Sequence, residues 1–260
     1  MVQAMSLELE GPRPGLVIVT GGGRGIGAAV ASGLASLGGH VLINYANNHR
    51  AADQVAQHIR GSGGEVFSCQ ADIGAESGVG ALYAAADATG LPLIGLVNNA
   101  GVSGGFSRLD ALSDQTLRRV LAVNVAGAML CAREAVLRMS TKHGGCGGNI
   151  VNVSSIAAKL GSPGEWIHYA ASKGAIDTMT VGLAREVAAE GIRVNAVAPG
   201  LIDTQFHAAA GAPERVARMA PGIPMGRAGT PEEVADAVIW LMSRNASYVT
   251  GVTVPVGGGR

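Results

Sequence analysis

The sequence predicts an α/β protein built on a mostly parallel, seven-stranded sheet, doubly wound with helices on both faces. Three observations point there. Short runs rich in Val, Ile and Leu alternate with longer Ala-rich helical segments, the pattern of strands covered on both faces. The 40 glycines sit mostly where those apolar runs stop and keep no three-residue period, so they mark tight loops and not a fibre. No Pro/Ser-rich linker or charge run breaks the rhythm, so residues 1–260 read as one domain with 1–13 as a flexible N-terminal tail.

In chain order the strands are expected at Leu16–Thr20, His40–Tyr45, Glu65–Ala71, Leu93–Asn98, Asn149–Ser154, Arg193–Ala198 and Val252–Val256, each a short β-branched or apolar run. Helices are expected between them, at Gly25–Leu37, Arg50–Gly61, Glu76–Thr89, Asp114–Met139, Ile167–Glu190 and Pro231–Met242. The last opens on Thr230-Pro231-Glu232-Glu233, which combines a capping box with proline at the first helical position. The rhythm fails only at 201–228, where three prolines, many small residues and a short helix near Gln205–Ala210 follow a strand end. This stretch is expected to be a substrate lid.

Composition removes several function classes. Nineteen basic and nineteen acidic residues leave no net charge, so nucleic acid is not an expected partner. Glu8, Glu10 and Pro12 stand where a signal peptide needs an apolar core, and no stretch is expected to reach the length of a membrane span, which points to the cytoplasm. Cys69, Cys131 and Cys146 lack the paired spacing of a zinc or disulfide framework, so they read as free thiols and no metal is expected.

After the first strand comes Thr20-Gly21-Gly22-Gly23-Arg24-Gly25-Ile26-Gly27, leading directly into a helix. Glycines there let the backbone turn sharply and approach a pyrophosphate, whose charge meets the helix N-terminal amides. No acid occurs from Gly11 to Ala52, so the carboxylate that would hold an unphosphorylated adenosine ribose is missing at the second strand's end. Arg24, with Asn44, His49 and Arg50 around that strand end, supplies donors suited to a 2′-phosphate, which favours NADP(H) and leaves NAD(H) as the other option.

Tyr169 and Lys173 are four residues apart in a helical stretch, hence on one face about a turn apart. A cation beside a phenol can bring it into proton-transfer range. Shifting a phenol from near 10 to neutrality takes about 4 kcal/mol of differential phenolate stabilisation.

With both motifs in hand, the chain resembles the short-chain dehydrogenase/reductase family in its compact single-domain branch, whose fold is of the Rossmann type. The resemblance extends to Asn98-Asn99-Ala100-Gly101, Asn124, Ser154-Ser155 and Pro199-Gly200, in order on successive strand ends and the fourth helix. It implies that Tyr169 donates or accepts the proton, that Lys173 lowers its pKa and holds the nicotinamide ribose, and that Ser155 binds the substrate oxygen. It further implies that Asn124 maintains a water chain to Lys173. Asp72, with Ile73 beside it, would face the adenine; Asn98, Ala100 and Gly101 would line the adenosine side; Pro199, Gly200, Ile202 and Thr204 would hold the nicotinamide end. Ser155 precedes Tyr169 by one residue more than the spacing associated with the family, so a one-residue bulge is expected within Gly161–Trp166.

The expected activity is interconversion of a small carbonyl compound and its alcohol. The substrate pocket is expected from Ser103–Phe106, Ala157–Trp166 and the lid, and a homotetramer or homodimer is implied by the resemblance. Two alternatives keep the fold: a catalytically silent NAD(P)-binding regulator, and a sugar-nucleotide epimerase or dehydratase.

Overall fold

In the computed structural model, which describes residues 8, 9 and 14–260, the strands are β1 (Leu16–Val19), β2 (His40–Tyr45), β3 (Val66–Gln70), β4 (Leu93–Asn98), β5 (Gly148–Val153), β6 (Ile192–Pro199) and β7 (Thr253–Val256). They form one sheet in the order β3-β2-β1-β4-β5-β6-β7, every neighbouring pair parallel. The helices are α1 (Gly25–Ser36), α2 (His49–Gly61), α3 (Glu76–Asp87), α4 (Asp114–Leu121), α5 (Ala128–Met139), α6 (Ala157–Leu160), α7 (Ile167–Val187), α8 (Gln205–Ala209), α9 (Arg215–Met219) and α10 (Pro231–Met242).

Strand alternation sorts the core into two layers. Val17 and Val19 pack with Val30 and Leu34 of α1, Ile59 of α2 and Val238 of α10. Leu16 and Ile18, pointing the other way, pack with Leu82 of α3, Ala135 of α5 and Val187 of α7. The order reverses between β1 and β4, and a parallel sheet opens its binding crevice at such a reversal, beyond the strands' carboxyl ends.

Two expectations are corrected here. The helical run Asp114–Met139 is long and apolar enough to cross a membrane, with a window of mean hydropathy 1.6; Cys131, Ala135 and Met139 are instead buried in the same layer as Leu96 and Ile150. Of the expected tail, 1–7 and 10–13 lie outside the described residues, whereas Leu9 is buried and bridges Ser243, with Glu8 O accepting from Arg244 N at 3.0 Å. That pair is docked, because Leu9 adds its side chain to the α1–α10 layer.

The capping box forms as expected: Glu233 N donates to Thr230 Oγ1 at 3.3 Å and Thr230 N to Glu233 Oε2 at 2.9 Å. The long fourth helix is interrupted by a π-turn over Ala122–Gly127, which the sequence did not announce. The expected lid carries α8 where a short helix was read, and a second helix, α9, that was not.

Candidate active site

A cavity of about 800 Å³ opens at the sheet's reversal point. The glycine turn contributes Gly21, Arg24, Gly25 and Ile26 to its lining, the next strand ends Asn44, Asp72 and Ile73, and the β4 end Ala100 and Gly101. The remainder brings Ser155, Tyr169 and Lys173 together with Pro199, Gly200, Ile202 and Thr204.

The turn is tight because only glycine fits it. Gly21 and Gly25 adopt φ of +65° and +52°, and a Cβ on Gly27 would stand 2.3 Å from Gly21 O and 2.5 Å from Asn99 Nδ2. Gly27 thus does not line the cavity but lets α1 close on the turn. Thr20 and Asn99 clasp the ends of β1 and β4: Asn99 N and Ala100 N donate to Thr20 Oγ1 at 3.0 and 3.1 Å, and Asn99 Nδ2 donates to Thr20 O at 2.9 Å.

Four expected cofactor residues sit differently from their reading. Asn98 is buried off the cavity, donating to Ala128 O at 3.1 Å and Asn152 Oδ1 at 3.0 Å; its neighbour Asn99 lines the cavity instead. Arg50 is exposed on α2 and outside the lining, where Asn47, Asn48 and Ala51 appear. His49 is held by Tyr45 Oη at 2.5 Å and by Asp53 Oδ2 at 3.0 Å, so the first acid after the gap engages the histidine. Asn44 lines the cavity, but its amide nitrogen is committed to Ala71 O at 2.9 Å, tying β2 to the end of β3.

Asp72 and Ile73 do line the cavity, and sequence reading missed the partner there. Arg119, from α4, grips both Asp72 oxygens, at 2.8 and 3.2 Å. That guanidinium, together with the Gly74 amide, holds the Asp72 carboxyl below the usual carboxylate range.

At the other end, Tyr169 and Lys173 share one face of α7, and Lys173 Nζ lies 5.7 Å from the Tyr169 ring centroid. Lys173 Nζ donates to Val153 O at 2.7 Å. Ser155 Oγ accepts from Ala157 N at 3.1 Å and lines the same cavity as Tyr169, whereas the Ser154 hydroxyl is turned to Lys173 O at 3.2 Å. Within 161–166, the segment where a bulge is expected, the chain turns: Gly161, Ser162 and Gly164 have φ of 70°, 47° and 73° and Trp166 N reaches Ser162 O at 3.3 Å.

Burial pushes the Tyr169 phenol up to about 12, against the nearby Ser155 hydroxyl, which pulls it down. Burial also pulls Lys173 down to about 8, against nearby Asp177. The protein groups by themselves therefore do not give the acidified phenol expected from the Tyr-Lys spacing; they hold Tyr169 protonated. Asn124 is buried off the cavity, with its amide on Val102 and Ser172.

The pocket expectation is met only in part. Leu160, Pro163, Glu165 and Trp166 line the cavity, but from the 103–106 segment none does: Ser103 O is taken by His168 Nε2 at 2.9 Å and Phe106 stacks behind Trp166, centroids 4.5 Å apart.

A family model described as enoyl-(acyl carrier protein) reductase matches residues 21–260. The chain belongs to the short-chain dehydrogenase/reductase family. It is 53% identical over 245 residues to the uncharacterized oxidoreductase YgfF of Escherichia coli, covering 94% of this chain and 99% of that one. It is also 38% identical to glucose 1-dehydrogenase 2 of Bacillus subtilis, over 93% of each chain, and 38% identical to 3beta-hydroxysteroid dehydrogenase 1 of Eggerthella lenta, over 94% of this chain and 92% of that one. Short-chain dehydrogenase/reductases use NAD(P) and act on hydroxyl or carbonyl groups, and this oxidoreductase has a cradle that fits such a dinucleotide: the left-handed glycines and Cβ-free contact at Gly27 at one end, Tyr169 and Lys173 at the other.

Proposed function

We propose that the protein interconverts a carbonyl compound and its alcohol, with Ser155, Tyr169 and Lys173 as the groups that handle the proton and NADP(H) as the preferred cofactor. One observation carries this reading: the Ser155 and Tyr169 hydroxyls and the Lys173 ammonium converge in the same cavity as the glycine turn. The nicotinamide, when bound, supplies or accepts the hydride and, in its oxidised form, a positive charge.

The chain's own residues do the rest. Tyr169, held protonated, gives its proton to the developing alkoxide in the reducing direction and takes it back in the other. Ser155 orients the substrate oxygen toward the Tyr169 hydroxyl. Lys173, on the same α7 face, offers a cation to the ribose and to any charge that develops on the phenol. Asn124 supports α7 from behind through Ser172, whose hydroxyl donates to Tyr169 O at 2.7 Å.

NADP(H) preference is supported by the exposed Arg24 at the start of α1 and by the asparagines Asn47 and Asn48, where an acid would repel a 2′-phosphate. We take the chain as one dinucleotide-binding domain with residues 201–228 as its lid, and the free thiols Cys69, Cys131 and Cys146 suit the cytoplasm. Exposed Leu121, Met129 and Leu137 along α4 and α5, with Val181 on α7, support assembly as a homotetramer or homodimer. A monomeric mass in solution would overturn that assembly.

The deciding experiment is parallel NADPH and NADH oxidation over ketones, aldehydes, sugars and acyl thioesters. Turnover with NADPH ahead of NADH supports the reading. Tight dinucleotide binding with no oxidation across the whole panel rejects it.

A further inference from the structure

The wall beside Tyr169 is apolar and aromatic. Ile156, Ala157, Leu160, Trp166 and Phe206 line the cavity there. The Phe206 centroid lies 5.7 Å from that of Tyr169 and 6.1 Å from that of Trp166, and Trp166 lies 5.6 Å from Tyr169, so the three rings form one cluster. Leu160 lines the cavity while 48% exposed, an apolar surface that a bound molecule would cover. Such faces favour C–H-rich and π-bearing surfaces and offer hydroxyls no partner.

The ion pair in this wall is matched within itself. Arg215 of α9 meets Glu165 through both prongs, Nη1 to Oε1 at 2.6 Å and Nη2 to Oε2 at 2.7 Å. Arg215 is 4% exposed, and its guanidinium lies 4.9 Å from the Trp166 ring centroid and 5.3 Å from that of Phe106. Glu165 directly precedes Trp166 in the chain, so one arginine fixes the indole twice, by its face and by its neighbour. A lysine cannot do this, since it has neither a planar face to stack nor a two-pronged fork.

From this arrangement we propose that the substrate is an uncharged carbonyl compound with a flat, apolar body, aryl or fused alicyclic, seated against Phe206, Trp166 and Leu160. Arg215 is the positioning residue that sets this preference, by holding Trp166 through Glu165. The inference rests on the carbonyl–alcohol reading and names its substrate class.

The test is steady-state kinetics with NADPH on three carbonyl sets: aryl or fused alicyclic ketones, small acyclic ketones, and ionised or polyhydroxylated carbonyls such as a keto acid and a hexose. The flat uncharged set leads in kcat/KM by about tenfold or more over each of the others. In Arg215→Lys, and separately in Trp166→Ala, the ratio of flat to small substrates falls by about tenfold, the loss appearing in KM. Cofactor fluorescence titration checks that each variant is folded. If Arg215→Lys fails to fold, Glu165→Gln decides, because it keeps the stacking arginine but weakens its anchor and lowers the same ratio to a smaller extent.

A keto acid or hexose in first place overturns the inference and leaves the reductase reading intact; Arg260, which also lines the cavity, would then be the group to examine. Equal loss on all three sets would show a merely structural role for Arg215 and also overturn it. No turnover with any carbonyl defeats the carbonyl–alcohol reading itself, and this inference with it.

Discussion

Asn124 and Val102 bind each other twice: Val102 N donates to Asn124 Oδ1 at 2.8 Å and Asn124 Nδ2 donates to Val102 O at 2.9 Å. The same amide nitrogen reaches Ser172 Oγ at 3.0 Å, so a side chain 1% exposed ties the loop after β4 to the helix that carries Tyr169. The π-turn over Ala122–Gly127 is the backbone change that accompanies it, and such turns recur at functional sites.

Asn124→Ala leaves both polar groups of Val102 without these partners in a half-buried setting. Urea unfolding is expected to show a loss on the order of 2 kcal/mol, with kcat falling as α7 loosens. A stability change within error would remove Asn124 from this bracing role.

Tyr169→Phe keeps the ring and its contacts with Trp166 and Phe206 and deletes only the hydroxyl. Turnover is expected to drop by at least about a thousandfold, while the NADPH dissociation constant stays within about twofold. Stopped-flow and fluorescence titration measure the two separately, and undiminished turnover would reject Tyr169 as the proton donor.

Lys173→Met gives a stability effect with a definite sign. The folded pKa, near 8, lies below the ordinary 10.5, so the unfolded chain holds this proton more tightly and wild-type stability rises with pH across that window. Below the window the buried ammonium is a standing cost that Met removes, alongside a pH-independent loss of the Val153 bond. Unfolding at about pH 6 and about pH 10 should therefore show Met comparing better with wild type at the lower pH. The same difference at both would mean that Lys173 is not depressed. Turnover and cofactor affinity are both expected to fall.

Gly27→Ala places a Cβ against Gly21 O and Asn99 Nδ2, neither of which can retreat without opening the β1–β4 clasp. Dinucleotide affinity is expected to fall by about a hundredfold or the chain to lose about 2–3 kcal/mol of stability. Gly63→Ala is a useful contrast, since its φ of +83° strains alanine but nothing lies within 4 Å; unaltered cofactor binding there and in Gly27→Ala would refute the close-packing argument.

Much of the sheet was legible because buried parallel strands are short apolar runs, and β2 and β4 fall on their expected residues. The two asparagines after Leu96-Val97 were legible as a motif but not as individuals. Asn98 faces Ala128 and Asn152 while Asn99 lines the cavity, and one residue of strand parity separates the two outcomes. Arg50 and His49 were read as donors from their place after β2; the start of α2 leaves Arg50 outside the cavity and turns His49 to Tyr45 and Asp53. Arg119 and Arg215 had no sequence signal, since each meets its carboxylate across about fifty residues of chain.

The sequence alone determined the alternation of strand and helix, the glycine turn, and the Tyr169–Lys173 spacing, because periodicity, glycine's freedom and helical geometry are local properties. Tertiary structure decided what those groups experience: the burial that raises Tyr169 and lowers Lys173, the placing of Ser155 in one cavity with the phenol, and the Arg215–Glu165 fork against Trp166. Desolvation and ion pairing depend on which distant segments enclose a group, and that is settled only when the sheet, α7 and the lid close around one cavity.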